Sequence, residues 1–204
     1  MSYLTLLCSR KGPSSWNQRI WLSCLAAVAG GIALYMGLYQ WGLITHVPDP
    51  IFGRQSEAVL SSEISHLLYG RARIPDAVLG AISYFWDMII ALAGSSKRWM
   101  DRPWLVLLFG ICIIPPAVVS IILVILQGTV LSTWCFLCIV TAAISVCLMV
   151  MAYAEVWASF LFLKNVWKKT RNKSLLWNTL WGRPSKTAYQ ISKIVESKYF
   201  GSPS

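Results

Sequence analysis

Charge is scarce in this chain. Only 13% of its 204 residues are Asp, Glu, Lys or Arg, and only eight are acidic. A soluble domain carries roughly 25% charged residues, so the deficit excludes an ordinary water-soluble fold. The six cysteines, at positions 8, 24, 112, 135, 138 and 147, are too dispersed for a disulfide-stapled secreted scaffold. None precedes the His of a haem-attachment motif, and no second Cys/His pair completes a zinc site. No metal centre is expected. The first 19 residues contain no acid, and the whole chain has a net charge of +10. On a soluble chain that balance would raise nucleic acid as a partner. Here no nucleic acid is expected, because cytoplasmic loops of membrane proteins accumulate Lys and Arg.

What fills the chain instead is apolar residue, 56% of the total, grouped in blocks of about 20, the length that crosses a hydrocarbon core. Four spans are predicted, over about 20–44, 77–93, 104–126 and 132–163. Trp21, Tyr39 and Trp41 flank the first like interfacial belts. Ala27-Val28-Ala29 resembles a signal-peptidase site, but apolar residues continue beyond it, so an uncleaved span is expected. Pro48 and Pro50 open the following polar segment as extended chain, and Ser56 to Leu68 has the 3–4 spacing of a short amphipathic helix. A plain connecting loop is the alternative. Pro75 suits the first turn of the second span, and Pro115-Pro116 should bend the third. Gln127-Gly128-Thr129 is read as a tight turn. Residues 164–204 form a basic tail whose Trp167, Trp177 and Trp181, mixed with Lys and Arg, suit anionic lipid. The fold class is therefore an all-α integral membrane protein: a four-transmembrane-helix bundle over 1–163, with a short amphipathic exterior helix and a basic cytoplasmic C-terminal tail over 164–204.

Orientation follows from the cations. Fifteen of the 18 Lys and Arg fall before the first span, in the 94–103 turn or in the tail. These three regions lie on one side of a four-span chain. The excess makes that side cytoplasmic, with both termini inside and the 45–75 segment outside. A multi-pass membrane protein is expected.

On the outer side, Ser132-Thr133-Trp134-Cys135-Phe136-Leu137-Cys138 opens the fourth span. Positions three apart on a helix lie about 5–6 Å from one another, within reach of a disulfide. Ser132 or Thr133 suits an N-cap, which would set Cys135 in the first turn. There the helix dipole favours a thiolate, the reactive form, and the exterior is where disulfides persist. Two cysteines that simply pack as apolar residues are the alternative. Cys112 and Cys147 fall at similar depth and are read as packing residues. Asp87, deep in the second span, is either a proton route or a buried packing hydrogen bond.

Together these residues resemble the vitamin K epoxide reductase family. The resemblance rests on four spans, on Cys135 and Cys138 opening the fourth, and on Val59-Leu60-Ser61-Ser62 followed by Ile74-Pro75-Asp76-Ala77-Val78-Leu79-Gly80-Ala81-Ile82-Ser83-Tyr84. It implies a membrane thiol oxidoreductase of a bacterial inner (plasma) membrane, whose cysteine pair exchanges electrons with a quinone (ubiquinone or menaquinone) within the bundle. It also implies a second cysteine pair in the first exterior loop. That pair is missing: Ser56 stands at the second position, and Asp49, Pro50 and Ile51 near the first. Asp49-Pro50-Ile51-Phe52-Gly53 resembles a motif of a bacterial, cysteine-poor branch of the family.

Two functions stay open. In the first, a thiol-bearing or thioredoxin-like protein attacks Cys135, and Cys138 passes electrons to quinone in a pocket lined by Trp134, Phe136, Tyr84 and Trp41. In the second, a redox-inactive homologue serves as a structural or docking subunit of a larger membrane complex, its tryptophans and basic tail contacting other subunits or lipid.

Overall fold

The computed structural model describes residues 14–62, 75–95, 97–183 and 185–200. Helices dominate: α1 (Trp16–Gln40), α2 (Gln55–Leu60), α3 (Asp76–Leu92), α4 (Arg98–Asp101), α5 (Pro103–Leu126), a π-helical turn (Gln127–Leu131), α6 (Phe136–Thr170), α7 (Lys173–Leu180) and α8 (Lys186–Phe200). No strand occurs among the described residues. Among the described residues, three helices are long and apolar enough to cross a membrane: α1, α5 with its π extension, and the 35-residue α6. At 17 residues, α3 stands at the short end of the spanning range, about 17–25 residues.

The element boundaries have local causes. The apolar run expected to continue to residue 44 stops as helix at Gln40, because Gly42 adopts φ +74°. The Leu43 N–H then reaches back to the Leu38 carbonyl at 3.0 Å, the backward bond of a glycine-terminated helix. The exterior helix read over 56–68 is shorter, ending at Leu60. The Ser61 and Ser62 hydroxyls donate to the carbonyls of Glu57 and Val59, turning the chain out of the helix. Residues 63–68 of that expectation lie outside the described residues. α5 runs through Pro115 and Pro116 without interruption, although each proline withholds a helical N–H donor.

The chain forms two compact units, and the expected boundary at 163/164 falls within α6 and inside the first of them. That unit comprises Met1–Leu22, Ile90–Ile111 and Val150–Ser204. Its core joins Trp99, Val106, Phe162 and Val166 to Ala188, Ile191 and Val195 of α8, so the last helix of the tail buries an apolar face against protein. The tail's other helix leaves Trp177 and Trp181 more than half exposed, with Trp181 stacked on Trp104 at 5.7 Å between ring centroids. The unit also contains two fully buried arginines. Arg98 grips Glu155 through two nitrogens, at 2.5 and 2.8 Å, and donates to the carbonyls of Ile90 and Ala93. Arg19 donates to the carbonyls of Ala91, Ala93 and Gly94. The two guanidiniums thereby satisfy the orphan carbonyls at the end of α3, where positive charge is favoured.

The second unit, Ser23–Ile89 with Cys112–Met149, carries the cysteine pair.

Candidate functional site

The helix bearing the pair starts one residue later than the cysteine that opens it. Cys135 is itself the N-cap of α6. Its carbonyl accepts the Ile139 N–H at 3.1 Å, and its sulfur accepts the Cys138 N–H at 3.2 Å, where a serine or aspartate oxygen usually serves. The two expected caps are engaged elsewhere. Ser132 takes φ +51° to close the π-helical turn, and the Thr133 N–H donates to the Gln127 carbonyl. The N-cap position brings the Cys135 sulfur closer to the positive end of the helix than the first turn would. Just ahead of the span that begins at Phe136, the Cys135 thiol is held below its ordinary range. Hydrogen bonding with the Cys138 side chain is the main cause, aided by the Cys138 amide and Ser56 against burial and the charge of Asp49.

Side chains from two other segments cap the neighbouring amides. Gln55 Oε1 accepts the Trp134 N–H at 3.0 Å, Gln127 Oε1 the Cys135 N–H at 3.2 Å, and Ser56 Oγ the Phe136 N–H at 3.1 Å. The Ser56 hydroxyl donates onward to Asp49 Oδ2 at 2.5 Å. Asp49 Oδ1 accepts the N–H groups of Ile51 and Phe52 at 3.1 and 2.7 Å. The Asp49-Pro50-Ile51-Phe52-Gly53 motif is thus a carboxylate-centred turn that holds the serine standing where a loop cysteine is missing. Burial acts to raise the Asp49 carboxyl, but the Ser56 hydroxyl and the Phe52 and Ile51 amides outweigh it and hold the group below the usual carboxylate range.

The arrangement seals one sulfur and opens the other. Cys135 and Ser56 are fully buried. Cys138 lies on the wall of a cavity of about 620 Å³, a size typical of small-molecule sites. Its walls are mostly apolar, with Met36 of α1, Leu60 of α2, Gly80 of α3 and Pro116 of α5 among them. The Cys138 sulfur lies 3.7 Å from Met36 Sδ. Both cysteines are free thiols. Polar groups on the wall include Tyr84, Gln127 and Thr141, and the Tyr84 hydroxyl is anchored to Ser145 Oγ at 2.5 Å.

Of the residues expected at the pocket, Cys138 and Tyr84 line this cavity, whereas Trp134, Phe136 and Trp41 do not. The Trp134 ring lies over Gly128, where a Cβ would stand 2.8 Å from it, so the glycine is what admits the ring. Trp41 is half exposed. Asp87 is buried, has one carboxylate oxygen without a partner among the described residues, and stands off the cavity wall. Cys112 is on the wall and Cys147 is exposed. Sequence reasoning missed Gln127, which it assigned to a turn. The available signal was a lone carboxamide ending one of the most apolar stretches of the chain.

These features describe a helical membrane protein with a thiol pair set between a capped helix terminus and an apolar cavity. The chain matches the model of the vitamin K epoxide reductase family over residues 20–153, and it belongs to that family. Acting as a membrane thiol–disulfide oxidoreductase with quinone is the family's general activity. No curated protein and no solved structure matches the chain.

Proposed function

We propose that this chain is a quinone-linked thiol–disulfide oxidoreductase of a bacterial inner membrane, with Cys135 and Cys138 as its redox pair. In this reading α3 crosses the bilayer as a fourth span beside the three longer helices, both termini are cytoplasmic, and α2 faces the exterior. The cation asymmetry supports that orientation. One observation carries the proposal: Cys138 lies on the wall of a mostly apolar cavity while its partner caps the same helix. The cavity's volume and apolar lining suit a quinone ring, with Cys138, Tyr84 and Gln127 among the polar groups available to hold it. A bound ubiquinone or menaquinone supplies an acceptor for two electrons and two protons.

The protein's own residues do the rest. As the two S–H bonds break, the Cys135–Cys138 bond forms and two electrons and two protons leave through the Cys138 side. To reset the pair, a thiolate of a separate thiol-bearing or thioredoxin-like protein attacks the Cys135 sulfur. The S–S bond breaks and Cys138 leaves as thiolate. The donor's second thiol then displaces Cys135 and closes the donor's own disulfide. Because Cys135 is sealed, α2 must lift before that attack, breaking the bonds from Ser56 and Gln55 at a net cost of about 1 kcal/mol each.

Trp134 and Phe136 take supporting roles here: they bring their amides to Gln55 and Ser56. The seal over Cys135, with no cysteine in the loop to relay electrons, favours one second reading. In it the scaffold serves as a structural or docking subunit of a membrane complex. Oxidation of dithiothreitol by quinone in the presence of the purified protein separates the two. The oxidoreductase reading expects turnover that Cys135→Ala and Cys138→Ala each abolish. Turnover no faster than the uncatalysed rate with wild-type protein rejects it.

A further inference from the structure

We propose that Gln127 is a catalytic residue of the thiol pair, its carboxamide oxygen fixing the Cys135 end of the helix while its amino group donates to the Cys138 sulfur at the cavity. This rests on the redox reading above for its consequence in turnover, but not for its geometry.

Gln127 is buried, 3% exposed, and opens the π-helical turn before the cysteines. π-helical turns are rare and cluster at functional sites, because the wider turn redirects a side chain that an α-helix would place elsewhere. Here Gln127 is directed at the pair. Its Oε1 accepts the Cys135 N–H at 3.2 Å, and it shares the cavity wall with Cys138, three residues further on. With Oε1 engaged as acceptor, the group left for sulfur is the NH₂ donor.

The chemistry explains why a carboxamide stands there. An amide N–H needs an acceptor and a thiolate needs a donor. A glutamine carboxamide supplies both from one uncharged side chain, on separate atoms and with a longer reach than asparagine. When the pair is oxidised, both S–H bonds break, the S–S bond forms, and two electrons and two protons pass to the quinone. When it is reset, Cys138 departs as thiolate. In both directions negative charge gathers on the Cys138 sulfur, and a fixed N–H aimed at it stabilises that charge without reorganisation. The other titratable groups around this sulfur are Cys135 on α6, Asp49 behind Ser56, Asp76 and Tyr84 on α3 and Cys112 on α5. None of them is changed in the test.

Two near-isosteric substitutions isolate the donor. Gln127→Glu keeps the oxygen that caps Cys135 and removes the amino group; Gln127→Met removes both without adding charge. The readout is site-resolved alkylation of Cys138 by N-ethylmaleimide across pH 6–10, in protein held in lipid nanodiscs without quinone. Loss of a hydrogen bond to a charged group predicts that Cys138 alkylation slows about tenfold or more in both variants throughout the pH profile. Folded variants that alkylate at the wild-type rate, with an unmoved profile, overturn the proposal. Should either variant fail to fold, wild-type protein decides: oxidising the pair with diamide should shift the Gln127 side-chain amide resonance, and an unmoved resonance overturns it. If the slowing of alkylation appears and quinone still fails to drive turnover, the redox reading falls and the role of Gln127 at the sulfur stands.

Discussion

The Ser56 hydroxyl accepts the backbone N–H of Phe136 at 3.1 Å, so a residue of α2 with no redox chemistry of its own caps the helix that carries the thiol pair. Ser56 holds this place because Asp49 holds Ser56. The resulting seal leaves Cys135 fully buried.

Ser56→Cys should convert the cap into a bond. Ser56 Oγ accepts the N–H of Phe136, the residue next to Cys135, at 3.1 Å, so a sulfur at that position needs only modest adjustment to close a disulfide. Mass spectrometry of non-reduced peptides from the oxidised variant should show residue 56 linked to Cys135. Exclusive linkage of Cys135 to Cys138 would contradict the placement of α2.

Ser56→Ala should loosen the seal. The variant leaves the Phe136 amide uncapped, at a cost of about 1 kcal/mol, and alkylation of Cys135 should quicken about fivefold. Unchanged alkylation would mean that α2 does not control access.

The Asp49 turn gives a pH dependence of definite sign. Its carboxyl titrates below the ordinary carboxylate range in the folded protein. The stabilisation it contributes is therefore complete above that range and is lost as pH falls through the lower folded value. Wild-type protein should be more heat-stable than Asp49→Asn from pH 5 to 8, and the difference should shrink as acidification proceeds below the ordinary carboxylate range. A difference that grows on acidification would have the wrong sign.

Glu155→Gln removes the only carboxylate bonded to Arg98 among the described residues and strands a fully buried guanidinium. Breaking a buried pair from one side costs about 3–5 kcal/mol, so a large fall in thermal midpoint is expected in differential scanning calorimetry. A fall within the range of surface substitutions, about 0.5 kcal/mol, would show that the pair is not buried in the folded protein.

The sequence made the membrane class, the three long apolar helices and the spacing of the cysteine pair legible, because apolar runs of spanning length and the C-x-x-C spacing act locally. Tyr84 was reachable through its motif. Trp134 and Phe136 were expected to line the pocket because they adjoin the cysteines. The π-helical turn and the left-handed Ser132 instead direct Trp134 onto Gly128, a long-range consequence of two unusual backbone conformations. Arg19 and Arg98 were counted as cytoplasmic cations, but their guanidiniums cap a helix end and, for Arg98, pair with Glu155. Charge counting sees the sign of a residue but not its partner. Ser56 looked like the loss of a function; its hydrogen bonds to Asp49 and Phe136 appear only once the loop is folded against α6.

The most direct test of the redox assignment is to reduce the purified protein in nanodiscs, remove the reductant, add ubiquinone or menaquinone anaerobically, and quantify the Cys135–Cys138 disulfide by mass spectrometry of non-reduced peptides. The proposed function predicts that the disulfide forms with one quinone reduced per disulfide. Two free thiols persisting at saturating quinone, with either quinone, would contradict it.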